Sequence, residues 1–486
     1  MSRINTNVSS LIAQNNLAKS NKSLSTSLER LSTGLRINRG ADDPAGLIVS
    51  ERLRSEIKGV GQAIDNSERA VNVIATAEAA LQEISTLLTE TKALIVQAAN
   101  TGAFSKAEIE ANQLQIDSAI DSITRISSTT SFAGLKLLNG SLDYLTSGVN
   151  STEIQDLKIF GANFGTNSTI PVNVEVLNSA ETASLFISGN TTGSTGALLS
   201  SVTLEVQGVK GVQVFSFISG TALSAVAFAV NQVSDSTGVT ANLVSATNQT
   251  SGLVLTSGGF GSNSFVSVRK INGGNTFQTF TAQAGTATNR DIGEDVLALV
   301  NGNLALGDGL KVSLNAPTLN LSLNLTAASA QQFSTYNFTV TGGGANYQIG
   351  PSVNSAQQVG FGIQSVAASH LGNETLGFLE SIKSGNSNSL VAGQQRAASD
   401  VIDTAIDQIA VMRGRLGAFE RNTLQTTIRS SQISLENLTS AESKIRDTDF
   451  AYETSRLTRA QILVQAGTSQ LAIANSTAQS VLSLLQ

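Results

Sequence analysis

Between Pro44 and about Asn100 a seam recurs every seven residues: Leu53, Val60, Ser67, Ile74, Leu81, Leu88 and Ile95. Ile57, Ile64 and Val71 supply the alternate heptad position, and after a phase step Ala77, Ile84 and Ala98 carry it on. Asp43 stands as an N-cap before Pro44, and no further proline interrupts the run. The pattern predicts one helix of roughly 80 Å, at about 1.5 Å per residue. A helix of that length with a single apolar stripe needs partners along it.

Helical spacing also marks both ends of the chain. Over residues 4–37, Ile4, Val8, Leu11 and Ile12 form one stripe, and Leu17, Leu24, Leu28, Leu31 and Leu35 another. Asn15 and Asn21 fall on or near that seam, where polar residues set register at a cost in stability. Gly34 closes the helix, and a turn-rich loop follows with Arg30, Arg36 and Arg39 beside Asp42 and Asp43. Ser105 and Glu108 spell a capping box ahead of Ile109, Ile116, Ile120 and Ile123. Helical period returns from about 387, with Ile402, Ile406, Ile409 and Leu416, then Leu424, Ile428, Leu435, Leu438 and Ile445. Asp447-Thr448-Asp449 reads as a break before a last helix carrying Leu471, Ala474, Ala478, Val481 and Leu485.

The middle has a period of two. Phe132, Leu135, Leu137 and Leu138 run into Asn139-Gly140, a hairpin-type turn. Val202, Leu204 and Val206 alternate with polar residues, as do Leu253 and Leu255, and Val266 and Val268. Val212, Val214 and Ser216 alternate with Gln213, Phe215 and Phe217. Asn301-Gly302 and Asp308-Gly309 punctuate two further hairpins, and Leu223, Val226, Val230 and Val233 mark one helix.

The expected fold is therefore α+β: a long antiparallel coiled-coil bundle formed by both termini, with a β-rich insertion. The expected parts are an end helix and loop (1–43), half of a bundle plus a hairpin (44–140), and a β-rich region of two subdomains (141–385). The other half of the bundle (386–449) and a final helix (450–486) complete them. Segments 105–127 and 399–445 are the expected partners of the long seam. Segments 1–40 and 450–486 would keep apolar faces for neighbouring copies, and such a heterologous contact propagates into a fibre.

Composition narrows the chemistry. Only 14% of the 486 residues are charged, against about 25% in an average domain. The net charge of −6 offers no basic face for nucleic acid. No run approaches the roughly 18 apolar residues of a membrane span. The opening MSRINTNVSSLIAQNN has no small-residue cleavage site, so no cleaved Sec-type signal peptide is expected. Without cysteine there is no disulfide, thiol catalysis or zinc–thiolate site. The single histidine, His370, lacks the partners of a general base or metal ligand and reads as structural or solvated. No enzyme, cofactor or metal is expected. Gly59 and Gly61 lie inside the heptad run, where each loosens the helix by about 1 kcal/mol relative to alanine rather than cradling phosphate.

Both ends closely resemble bacterial flagellin. The motifs are MSRINTNVSSL, LERLSTGLRIN, ADDPAGL and AVNVIATAEAALQEIS near the start, and SKIRDTDFAYE, AQILVQAGTSQLAIAN and SVLSLLQ near the end. GVQVFSFISGTALSAVAFAVNQVSDSTGVTAN resembles the short motif inserted in flagellins and hook-associated proteins. The resemblance implies a flagellar filament subunit, exported unfolded by the flagellar type III apparatus to an extracellular site without a cleaved signal. Segments 4–35 and 454–485 would form the inner tube; 44–99, 105–127 and 399–445 would surround it.

The polymerisation interface expected from this comprises Ile4, Val8, Leu11, Leu28, Leu31, Leu35, Arg36, Leu471, Ala474, Val481 and Leu485. Implied partners are other copies of the chain, other flagellins, an export chaperone on the last helix, and filament cap and hook-associated proteins. Many flagellins carry a QRVRELAVQ-like stretch that a Toll-like innate receptor recognises. Residues 89–97 match it: Leu94, Val96 and Gln97 are kept, while Glu90 replaces an arginine and reverses a charge. A hook–filament junction protein, or an adhesin acting through the central region, are the competing functions.

Overall fold

The computed structural model describes residues 6–187, 196–245, 251–273, 277–283 and 285–483, with side chains as far as Ser476. The chain forms two compact units. The first holds Met1–Ala70, Gln348–Val353 and Arg421–Gln486; the second holds Val71–Tyr347 and Asn354–Glu420.

In the first unit, α1 (Val8–Thr33) ends at Gly34, whose left-handed φ of 74° lets its N–H reach the Arg30 carbonyl at 2.9 Å. The long seam becomes α2, Pro44–Ala98, an unbroken helix of 55 residues whose later part lies in the second unit. Six of its seven seam positions are buried, and Leu53 is half-buried. The polar seam residue Ser67 donates its hydroxyl to the Ala63 carbonyl at 2.8 Å, so no polar group is orphaned there. Gly59 does more than loosen the helix. A Cβ there would lie 3.1 Å from the Pro351 Cβ, so this glycine seats a proline from a distant part of the chain.

In the second unit, α3 (Lys106–Thr129) carries the expected capping box between Ser105 and Glu108. It buries Ile116, Ile120 and Ile123. Gln113, also buried, gives its amide N–H to the Ile382 carbonyl at 2.9 Å and accepts from the Leu390 N–H at 2.7 Å. Helix α7 (Gln395–Phe419, numbered after the short helices of the β region given below) runs antiparallel to α2. Lys92 pairs with Asp403, and Glu78 lies 3.9 Å from Arg413. It buries Val401, Ile402, Ala405, Ile409 and Leu416.

Helix α8 (Gln425–Arg446) departs from expectation. Every residue in it is at least partly exposed, with Ile428, Leu435, Leu438 and Ile445 half-buried. Just before it, the step from Leu416 to Leu424 is eight residues and not seven. A π turn over Glu420–Leu424 accommodates the extra residue, and Leu424 stays fully buried like Leu416. Asp447-Thr448-Asp449 then breaks the chain before α9 (Phe450–Ser483).

The first hairpin is also displaced. Strands β1 (Ser131–Phe132) and β2 (Leu135–Lys136) turn at Ala133-Gly134, both with positive φ, and not at Asn139-Gly140. Asn139 instead accepts the Ser141 N–H at 3.1 Å in a local turn beyond the strands.

The β-rich region is nested. Strands β3 (Tyr144–Ser147), β4 (Ile154–Ala162) and β5 (Ile170–Asn178) begin an antiparallel eight-stranded sheet. The chain then leaves for β6 (Thr182–Ile187), β7 (Val202–Gln207), β8 (Val212–Phe217), α4 (Leu223–Gln232) and α5 (Ser234–Thr237). It continues through β9 (Val239–Leu243), β10 (Leu253–Phe260), β11 (Phe265–Gly273), β12 (Thr279–Phe280) and β13 (Arg290–Ile292). These strands make two four-stranded sheets around one core with α4. On β8 it is Phe215 and Phe217 that pack on this core, while Val212 and Val214 are exposed.

Strands β14 (Leu297–Val300), β15 (Asn303–Asp308), β16 (Lys311–Asn315) and β17 (Leu319–Leu325), then α6 (Ala327–Ala330) and β18 (Thr335–Gly343), complete the first sheet. Its order is β3-β18-β5-β14-β15-β16-β17-β4. Asn301-Gly302 makes the expected two-residue turn, with φ of 49° and 77°. The next turn falls on Gly309-Leu310, because Asp308 still pairs with Lys311.

Leu81 is fully buried and Leu114 is 68% exposed. Leu81→Ala should lower stability by about 2–5 kcal/mol, and Leu114→Ala by no more than about 0.5 kcal/mol. Denaturant unfolding of the two variants checks this, and equal losses would contradict the assigned core.

Candidate assembly interface

The ends of the chain pair with each other. Ser10 donates to the Asn475 side-chain oxygen at 2.9 Å, and the Asn7 amide donates to the Ala474 carbonyl at 2.9 Å. Further along, Leu17 packs on Gly467, and Ser27 donates to Glu453 at 2.6 Å. As numbers rise in α1 they fall in α9, so the two helices are antiparallel.

The seam on α9 is Glu453, Ala460, Gly467 and Ala474, one residue every seven. On α1 it is Ser10, Leu17, Leu24 and Leu31, with Ala13, Ser20 and Ser27 between them. Buried positions on both sides are small or polar: Ser10, Ala13, Ser27, Glu453, Ala460 and Ala474. Small residues let helix axes approach closely. A Cβ at Gly467 would sit 3.2 Å from Leu17 Cδ1 and 3.8 Å from its Cα, so a bulky side chain there has no room without shifting Leu17 and the α1 backbone behind it. Glu453, 3% exposed, is matched by Ser27 and by Arg30 and Arg456 at 3.7 and 3.8 Å. The buried carboxylate therefore has a hydroxyl and two guanidinium groups around it to offset its desolvation.

The large apolar residues point elsewhere. Val8, Leu11, Ile12 and Leu28 on α1 are each more than half exposed. So are Phe450, Tyr452, Ile462 and Leu463 on α9. Each helix thus offers its own chain a thin seam and leaves a broad apolar face uncovered.

Among the residues expected at the interface, Val8, Leu11 and Leu28 lie on these exposed faces. Leu31, Leu35 and Leu471 are half-buried, and Ala474 is buried inside the chain's own pair. Arg36 is exposed, but its N–H donates to the Arg446 carbonyl at 2.7 Å and its guanidinium to the Ile445 carbonyl. Ile4 and Leu485 lie outside the described residues, as does the side chain of Val481. Ile12, Phe450, Tyr452, Ile462 and Leu463 were not singled out as site residues. Their signal was available: each falls off the seven-residue seam yet is apolar.

On α2, Glu90, Val96 and Gln97 are exposed and Leu94 half-buried. Near the start of that helix, Arg446 donates to Glu51 at 2.7 Å and Arg54 does so at 3.1 Å. The hydrogen bond from Arg446 is the main cause holding the Glu51 carboxyl below the usual glutamate range. His370 is exposed and its Nδ1 lies 2.9 Å from the Ser369 hydroxyl. Among the described residues no group of three or more His, Cys, Asp or Glu is placed to hold a metal, and no helix is long and apolar enough to cross a membrane.

Helices at both ends around a β-rich middle, with apolar faces left uncovered on α1 and α9, are a mixed α+β arrangement. Models of the bacterial flagellin N-terminal and C-terminal helical regions match residues 4–143 and 399–485, and the flagellin hook IN motif matches 201–259. The chain is 31% identical to flagellin of Escherichia coli K12 and to B-type flagellin of Pseudomonas aeruginosa, with 99% of each chain covered in both cases. It is 29% identical to flagellin of Salmonella typhimurium LT2 over the same share. A solved FliC from Burkholderia pseudomallei, 15% identical, covers 74% of this chain and 99% of that one at a TM-score of 0.24, too loose a superposition to carry an argument. The chain belongs to the bacterial flagellins. It is a structural subunit of the extracellular flagellar filament, and nothing in these likenesses favours a junction protein or an adhesin.

Gly467→Leu should separate α1 from α9. Hydrogen exchange over residues 8–33 should then quicken by about tenfold or more, with residues 71–98 unchanged; unaltered exchange would show that close approach is not required. A second test concerns acid. A carboxyl lowered in the folded state contributes stability above glutamate's ordinary range and loses it as pH falls through the lowered value. Glu51→Gln should therefore flatten the acid-side fall of urea midpoints between about pH 7 and 3. A parallel curve would remove Glu51 from the linkage.

Proposed function

We propose that the exposed apolar faces of α1 and α9 are the contacts that build the filament from copies of this chain. The observation that carries the proposal is the division of residues by size. Small side chains and half-buried leucines close the pair, and Val8, Leu11, Ile12, Leu28, Ile462 and Leu463 are left in water. Covering apolar surface contributes about 25 cal/mol per Å². A helical array repeats each contact for every subunit added, so a modest face suffices.

The same face explains the need for a keeper before assembly. In this reading an export chaperone covers α9 and keeps its apolar residues from associating too early. The chain leaves unfolded through the flagellar apparatus without a cleaved signal. Its lack of cysteine suits passage through an oxidising compartment. Cap and hook-associated proteins meet the filament ends through the same helices, and the β-rich region faces solvent. The chain performs no chemistry of its own in this scheme.

Leu11→Asp combined with Ile462→Asp should abolish filaments seen by electron microscopy. The unfolding free energy of the monomer should stay within about 1 kcal/mol of the parent, because both sites are exposed and each costs at most about 0.5 kcal/mol. Normal filaments from the double variant would refute the assignment.

A further inference from the structure

A second surface shows the same inversion of size, far along the chain from α1 and α9. Strands β14 and β15 read LALV and NLALGD, apolar on both faces. The core side takes the smaller residues: Ala298, Val300 and Ala305 are buried. The outer side takes the leucines. Leu304 and Leu306 are 65% and 75% exposed, Leu297 is 40% exposed, and Leu299 is half-buried.

These residues are contiguous. Leu299 stands directly across from Leu304, and Leu297 lies two residues along β14 on the same side. On the adjoining strand β5, Leu177 is also exposed, at 41%, in the bulge between Val176 and Asn178. An antiparallel sheet normally turns polar residues to water, as β5 does with Asn173 and Glu175 and β18 with Thr335 and Asn337. A contiguous leucine face in the middle of such a sheet marks an interaction surface.

We propose that this leucine face is a contact between the β-rich regions of neighbouring copies in the filament. Its rim supports a second copy as the occupant. Asp308 stands opposite Lys311 at one end of the face and Glu175 stands opposite Leu299 at its β5 edge, so the rim carries both signs and offers a second copy complementary charge. Assembly also holds identical faces at high effective concentration, where a contact too weak to pair free monomers becomes occupied. The inference rests on membership of the filament and not on which helices build its core.

The absence of cysteine makes the test clean, because Leu306→Cys introduces the only thiol. Maleimide should label it quickly in dissociated monomer and about tenfold more slowly in flagella sheared from cells. Ile218→Cys, at a 75% exposed site off this face, should react alike in both. Equal rates for Leu306→Cys would overturn the proposal, as would slow labelling already in the monomer. The unmodified chain provides a reading free of any effect of substitution: hydrogen exchange over 297–308 should slow in filaments, and unchanged exchange would overturn the proposal too. Protection found in sheared flagella but absent in filaments of purified chain would assign the face to another polypeptide, against this proposal. Sheared flagella supply the polymer whatever holds its core, so failure of the α1–α9 assignment leaves this test intact.

Discussion

Fifty-five helical residues sharing one apolar stripe do not stay folded alone, and α2 is such a helix. Its later part lies in a unit whose α7 comes from more than 300 positions further along the sequence, running antiparallel with Lys92 on Asp403 and Glu78 near Arg413. Everything between is thereby an insertion that must leave and return. The β region obeys the same constraint one level down. Strands β14 to β18 come back to complete the sheet that β3 to β5 began, so β6 to β13 form an insertion within an insertion. Each level closes its own core, and the two β cores share no residue.

Residue size separates what holds the subunit from what it offers to others. Along α2 the seam takes Ile74, Leu81, Ile84 and Leu88, all fully buried, so its bulkiest seam residues lie inside the chain. Between α1 and α9 the buried positions are serine, alanine and glutamate, Leu17, Leu24 and Leu31 are half-buried, and Val8, Leu11, Ile12 and Ile462 stay in water. Strands β14 and β15 repeat the inversion with alanine inward and leucine outward. A hydrophobic pattern alone does not distinguish these cases. The distinction lies in which of two apolar faces receives the larger side chains, and burial decides it.

Much of the helical architecture was legible in periodicity, because a seven-residue repeat leaves few alternatives to a packed helix. The capping box at Ser105 and the turn at Asn301-Gly302 were legible because those geometries demand particular residues. Local chemistry misled at Asn139-Gly140. The pair suits a hairpin, but Ala133-Gly134 lies between the strands that pair. Gln113 gave no signal at all, since its two buried hydrogen bonds reach residues some 270 positions away. Gly59 looked like a flaw in a helix until Pro351 was found against it.

By itself the sequence determined the helices, their apolar stripes, the alternation in the middle, and a self-assembling class of protein. These follow from spacing and side-chain type, which act over a few residues. Tertiary structure alone decided which stripe would be covered within the chain. It placed Ala474 inside the α1–α9 pair, left Leu11 and Ile462 exposed, and left the α8 stripe only half-buried. The reason is that a stripe states only that a face is apolar. Whether a face is buried depends on the size and phase of a partner hundreds of residues away, which no local pattern contains.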